Sequence, residues 1–128
     1  MQTDYEFGDV VQPDAINIFD YIDRDDNLWL IGEDIRNIYR PLNKGIALFA
    51  LQKPAGRDLG YGGTPTLKLA RFYMSLDLVN RYDEECVYGK AKILVCKNWV
   101  KTNPKGLKCA YHTGGKHGKL FQDGEWTK

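Results

Sequence analysis

The apolar stretch "INIFD" ends in a carboxylate, Asp20, where a strand would run out. Nucleotide-hydrolysing folds use that placement to hold a magnesium ion, usually through water, beside phosphate oxygens. An aspartate that merely caps a turn is the plainer alternative. A second apolar stretch, "GIALFALQ", ends in Gln52. An amide both donates and accepts hydrogen bonds, so a glutamine there can sense a terminal phosphate or its attacking water and pass the signal onward. Without a phosphate it is a polar residue at the point where the chain leaves a sheet. Directly after Gln52 comes the fourteen-residue loop "KPAGRDLGYGGTPT", carrying Lys53, Arg57 and Tyr61 among its glycines. Two cations and a ring on a pliable backbone suit a segment that tracks a nucleic-acid backbone and stacks on a base, and a loop of this length is more often functional than not. Farther on, "KILVCKNW" presents Lys97 and Trp99, with Lys101 and Lys105 close behind. A cation fixed at a strand end can reach a phosphate held by a neighbouring subunit; otherwise it is the solvated tip of a basic hairpin.

Two other chemistries find little support. Cys109, His112 and His117 have a C-x2-H-x4-H spacing, but no fourth zinc ligand is evident. Nothing ties either histidine to a nucleophile. The phosphate-cradling GxxxxGK[ST] occurs nowhere in the chain.

The elements that would position these residues can be read from periodicity. Asp14–Tyr21 reads as a strand introduced by the turn former "QPD" and closed by "DRDDN". From Leu28 to Leu42 the apolar residues recur every three or four positions, which predicts an amphipathic helix capped by Asp25, Asp26 or Asn27 and stopped by Pro41 and "NKG". Gly45–Gln52 reads as a strand covered on both faces. Further strands are expected over Leu69–Asp77, Lys90–Val100 and Gly106–Thr113, with a short last one at Lys119–Phe121. Strand, helix, strand makes a β-α-β unit with parallel strands, to which antiparallel strands are added. The expected fold is α/β, with a mixed, mostly parallel sheet and a C-terminal β-hairpin in a single domain spanning residues 1–128.

Composition sets the frame around that sheet. The chain has 128 residues, 43% of them hydrophobic and 27% charged, as expected of a soluble globular domain. The longest apolar run is too short to cross a bilayer, the N-terminus does not read as a signal peptide, and an intracellular, cytoplasmic location is expected. Three cysteines without a CxxC pair suggest reduced thiols. The net charge of +1 hides a gradient: residues 1–43 carry ten acids against three bases, and residues 44–128 seven acids against fifteen bases. Either the two segments pack on each other, or the C-terminal part binds an anion.

In this order the segments "PDAINIFDYID", amphipathic helix, "NKGIALFALQKPAGRDLGYGGTPTLKLARFYMSLD" and "AKILVCKNW...NPKGLKCAYH" resemble the second half of the RecA-type ATPase core of bacteriophage ATPases and replicative hexameric helicases. The resemblance runs from Asp9 to Phe121. It implies that Asp20 is the Walker B acid beside the magnesium of Mg-ATP, and that Gln52 couples the terminal phosphate to DNA. It further implies that Lys53, Arg57 and Tyr61 sit on a mobile DNA-facing loop and that Lys97 reaches the nucleotide of an adjacent subunit. The chain departs from the family in lacking the Walker A loop with its lysine and the catalytic glutamate, and in having Trp99 where the helicases often carry an arginine.

The expectation is therefore a piece of a DNA-dependent ATPase or helicase core that does not hydrolyse ATP alone. Strands missing from its sheet would leave an edge and apolar surface for self-association or for the absent N-terminal part of the core. Two other classes remain open: a complete, non-enzymatic nucleic-acid-binding module using the basic hairpin and Tyr61 or Trp99, and a structural or interaction protein.

Overall fold

The computed structural model describes residues 7–81, 86–115 and 118–128. The chain forms two compact units, Met1–Leu69 and Ala70–Lys128.

In the first unit, a 3-10 turn at Phe7–Val10 precedes strand β1 (Ile16–Ile22). A second 3-10 turn at Leu28–Leu30 leads into helix α1 (Ile31–Tyr39), and strand β2 (Ile46–Leu51) comes after it. The strands pair in parallel, Ile16 opposite Ile46 through Phe19 opposite Phe49, and the register then shifts so that Ile22 faces Leu51. A parallel pair needs a crossover, and α1 supplies it.

The three-and-four spacing of Ile31, Ile35 and Ile38 turns one side of α1 inward, where these residues are buried with Val11 and Ile22 and pack against Phe19, Ala47, Phe49 and Leu51. The expected helix is thus present but shorter than Leu28–Leu42. Its first turn is 3-10, and Asn27, in the left-handed conformation before it, makes no side-chain capping bond.

Polar side chains fasten the ends of this unit. Asn17 Oδ1 accepts from the Gln12 backbone N–H (2.9 Å), and Asn17 Nδ2 donates to the carbonyls of Gln12, Ala15 and Ile46, tying the start of β1 to the start of β2. Gly45 passes so close to the carbonyls of Pro13 and Ala15 that a Cβ there would collide with them. The connection after β1 is held by Arg24, whose Nε and Nη2 each donate to one oxygen of Asp34, both at 2.6 Å. Asp34 is buried in α1, and the doubly hydrogen-bonded geometry is the strongest form such a pair takes.

The other face of the β1–β2 pair carries Ile16, Ile18, Ile46 and Leu48, all exposed; Ile18 keeps 70% of its surface accessible and Leu48 53%. The apolar run of β2 therefore does not mark a strand covered on both faces. It serves one face against α1 and leaves the other open.

The second unit is one antiparallel sheet of four strands in chain order: β3 (Phe72–Arg81), β4 (Val87–Cys96), β5 (Lys108–Gly114) and β6 (Lys119–Thr127). Its buried apolar residues are few, Ala91, Ile93 and Cys109 among the described residues. Tyr111 lies across β4 at Gly89, where any side chain would overlap its ring, and its hydroxyl reaches the Asp77 carbonyl at 3.5 Å. The three cysteines form no disulfide. Among the described residues, no helix is long and apolar enough to cross a membrane.

The expectation of an α/β fold with one mixed, mostly parallel sheet is overturned. Strands β1 and β2 are the only parallel pair among the described residues, and the four-stranded sheet shares no strand with them. The connections explain the difference. Beyond β2 the chain forms no further helix among the described residues, only a 3-10 turn at Thr64–Leu67, so no second crossover can add a parallel strand. From β3 to β6 each strand pairs with the next in chain order, with no helix between them among the described residues, and all three pairings are antiparallel. The last strand, expected to span three residues, runs over nine.

Candidate functional site

Parallel pairing brings Asp20 and Gln52 to the same, carboxyl end of the first unit's sheet. Asp20 lies within the shifted segment of β1, two residues before Ile22, and Gln52 directly follows Leu51 of β2. Both are exposed. Asp20 offers a single carboxylate, and no group of three or more His, Cys, Asp or Glu side chains converges on a metal position among the described residues. One exposed carboxylate does not by itself make a metal site.

The loop after Gln52 is fastened at several points. The Tyr61 backbone N–H donates to the Gln52 carbonyl (2.8 Å), which closes the segment into a compact surface loop. Inside it, Lys53 Nζ donates to the Arg57 carbonyl at 2.7 Å, so this cation is engaged with the loop's own backbone. Farther along, Thr66 Oγ1 donates to the Gly63 carbonyl (2.6 Å) and Thr66 itself is buried. Arg57 and Tyr61 remain exposed. The loop thus exposes one guanidinium and one ring.

Lys97 and Trp99 belong to the second unit. Lys97 directly follows β4, and its backbone N–H donates to the Arg71 carbonyl (2.8 Å). Asn98, left-handed at φ 62°, turns the chain there, and Trp99 and Val100 stand exposed beside Lys101. The Asn103 side chain accepts from the Lys105 backbone N–H (3.0 Å), shaping the end of this basic connection. Of the Cys109, His112 and His117 trio, Cys109 is buried on β5, His112 stacks between two aromatic rings, and His117 lies outside the described residues.

That stacking makes a grouping not foreseen from the sequence. Register aligns Tyr88 of β4, His112 of β5 and Phe121 of β6 in a single row across the sheet. Tyr88 and His112 have centroids 5.5 Å apart with planes 26° apart, and His112 and Phe121 are separated by 4.9 Å and 16°. Both oxygens of Asp123 lie within hydrogen-bond distance of His112 Nδ1, at 2.7 and 2.8 Å, which holds the imidazole in the stack. His112 and Phe121 lie within strand candidates, but Tyr88 falls before the one expected at Lys90–Val100, and which rings meet depends on register.

The electrostatics of the first unit centre on Arg24. Its hydrogen bond to Asp34 raises its pKa above the ordinary value, burial opposes the shift, and the charges of Asp34, Glu33 and Asp26 add to it. A guanidinium that stays charged throughout the accessible pH range fastens the chain to α1 and takes no part in proton transfer.

A scan against protein-family models gave no match for this chain, and neither the curated proteins nor the solved structures gave one.

Proposed function

We propose that this chain is the part of a DNA-dependent ATPase or helicase core that senses a terminal phosphate and answers at a nucleic-acid-facing loop. The observation that carries the reading is the hydrogen bond from the Tyr61 N–H to the Gln52 carbonyl. Any movement of the Gln52 backbone is transmitted directly to the residue that presents an aromatic ring at the loop surface. Asp20, at the same end of the parallel pair, is the carboxylate that would steady the magnesium of Mg-ATP through water. Arg57 and Tyr61 are the loop's contacts to DNA, Lys53 stiffens the loop from within, and Lys97 is the cation for a nucleotide on a neighbouring subunit.

Bound Mg-ATP would supply the phosphate and charge that Gln52 reads. Residues 1–128 contain no GxxxxGK[ST], so in this reading another polypeptide segment cradles the phosphates, and this chain alone does not turn over ATP. DNA sequence on the upstream side of the coding region is the decisive test. An in-frame strand, GxxxxGK[ST] loop and helix is expected there, and its absence from the same and neighbouring reading frames would sink the proposal. The loop supplies a biochemical arm: Arg57→Ala with Tyr61→Ala weakens oligonucleotide binding by the full chain, while Gln52→Ala alone does not.

A second reading is a non-enzymatic nucleic-acid-binding module. The exposed Trp99 among Lys97, Lys101 and Lys105 favours it. It predicts salt-dependent oligonucleotide binding that Trp99→Ala weakens and that is indifferent to any neighbouring P-loop.

A further inference from the structure

We infer that the second unit carries a separate single-stranded nucleic-acid site on its sheet, where a base stacks on the outward face of Phe121 and continues the Tyr88–His112–Phe121 row. It goes beyond the loop reading and involves none of the loop's residues.

The centroid separations in the row are close to the ~4.8 Å between neighbouring strands. The rings therefore stand on the sheet with their faces turned along the direction from strand to strand. His112 occupies one face of Phe121. No strand lies beyond β6 in this sheet among the described residues, so the other face looks out past the sheet edge, and Phe121 keeps 44% of its surface exposed. A flat π-system set there takes the place of the next ring in an existing stack. Every nucleobase has such a face.

Charge selects among flat ligands. Register puts Lys90, Lys108 and Lys119 on the same sheet face as the aromatic row. Lys119 stands two residues before Phe121 on β6, and Lys90 two residues beyond Tyr88 on β4. Each flank therefore lies about 7 Å from the row along the strands. Lys92 shares this face, as do two carboxylates, Asp77 and Asp123, the latter engaged with His112. Cations on both sides of a stacking surface suit a polyanion threaded across it. An aromatic side chain from an added protein strand could also stack on Phe121, but it brings no negative charge for Lys90 and Lys119.

The experiment measures fluorescence anisotropy of a labelled fifteen-nucleotide deoxythymidylate strand, and of an abasic strand of equal length, with the full-length protein. Phe121→Ala is expected to weaken binding to the thymidylate strand roughly 5- to 150-fold, the range for loss of one base stack, and to leave the abasic strand unaffected. Phe121→Trp retains binding. Lys90→Ala and Lys119→Ala weaken both strands, and each lowers the salt slope by about 0.7. If Phe121→Ala unfolds the unit by circular dichroism, Phe121→Leu, which keeps the bulk and lacks the π-face, carries the same expectation. The site does not exist if Phe121→Ala or Phe121→Leu binds the thymidylate strand like wild type, or if wild type binds the abasic strand as tightly. Concentration-dependent self-association abolished by Phe121→Ala, without base-dependent binding, would assign the face to protein pairing and overturn the proposal. The Phe121 effect persists in an Arg57→Ala, Tyr61→Ala background, so failure of the loop reading and failure of this one are distinguishable.

Discussion

The parallel pair β1–β2 rests on a helix, whereas the antiparallel sheet β3–β6 has no helix of its own among the described residues. In the first unit, one helix face and one sheet face close on each other, and Ile31 and Ile38 lose nearly all contact with solvent. In the second, small residues occupy the middle of the sheet, Ala91 and Gly89 with Tyr111 laid over the glycine, and rings stack across strands instead of filling a deep interior. The first unit draws its stability from apolar burial, and the second more from cross-strand pairs, each worth a fraction of a kcal/mol up to about 1. Substitutions of similar size should therefore have different consequences in the two units.

The largest effect is expected at the helix. Ile38→Ala removes a fully buried side chain and should cost about 3–5 kcal/mol in urea unfolding, with hydrogen exchange accelerated in β1 and β2 and unchanged in β4 and β5. Equal loss of protection in all four strands would mean that the chain unfolds as one cooperative body, and the contrast between units would fail.

Next comes the ion pair. Asp34→Ala leaves the Arg24 guanidinium without its carboxylate, and thermal or urea unfolding should register about 2–4 kcal/mol, reduced from the fully buried case because the Arg24 side chain is one-third exposed. Asp34→Asn, with no charge to offer, should recover only part of that. Full recovery would show that hydrogen bonding, not charge, fastens the connection.

Gly89→Ala tests the thin interior of the second unit. The added methyl meets the Tyr111 ring, and the expected cost is about 1–3 kcal/mol, confined to the amides of β3–β6. The double change Gly89→Ala with Tyr111→Ala removes the ring overlap but leaves the Asp77 carbonyl 2.6 Å from the added methyl, so partial relief, read as non-additive unfolding energies, is the diagnostic.

The smallest effect belongs to the open face of the first unit. Leu48→Thr places a β-branched side chain, suited to a strand, on β2 and should change stability by no more than about 0.5 kcal/mol. A much larger loss at micromolar protein, shrinking as dilution brings the wild type down toward the variant's stability, would show that a second copy covers Ile16, Ile18, Ile46 and Leu48 in solution.

Local pattern made part of this architecture legible. The apolar stretches "INIFDYI" and "IALFAL" and the three-and-four spacing through Ile31, Ile35 and Ile38 located β1, β2 and α1, and the crossover rule gave the parallel pairing. The same reasoning extended the parallel sheet too far, because strand candidates in sequence do not state which sheet they join. Asp20 and Gln52 could be singled out as strand-end polar residues; that the Gln52 carbonyl fastens Tyr61 could not, since closing a loop needs both ends in space. Arg24 and Asp34 were illegible as a pair for a similar reason. They stand ten positions apart across a turn, inside an acidic stretch that offers Arg24 several other carboxylates.

By itself the sequence determined roughly where helix and strands form, the charge gradient along the chain, and the absence of the GxxxxGK[ST] motif from these 128 residues. Those properties depend on neighbours a few positions away, where side-chain periodicity and backbone sterics act directly. Tertiary structure alone decided that the strands divide into two sheets, that one face of the parallel pair stays open, and that Tyr88, His112 and Phe121 stand in one row ending at a sheet edge. Each of these turns on strand order and register. A shift of one residue moves every side chain to the opposite face, and that choice is settled by the summed packing of distant segments.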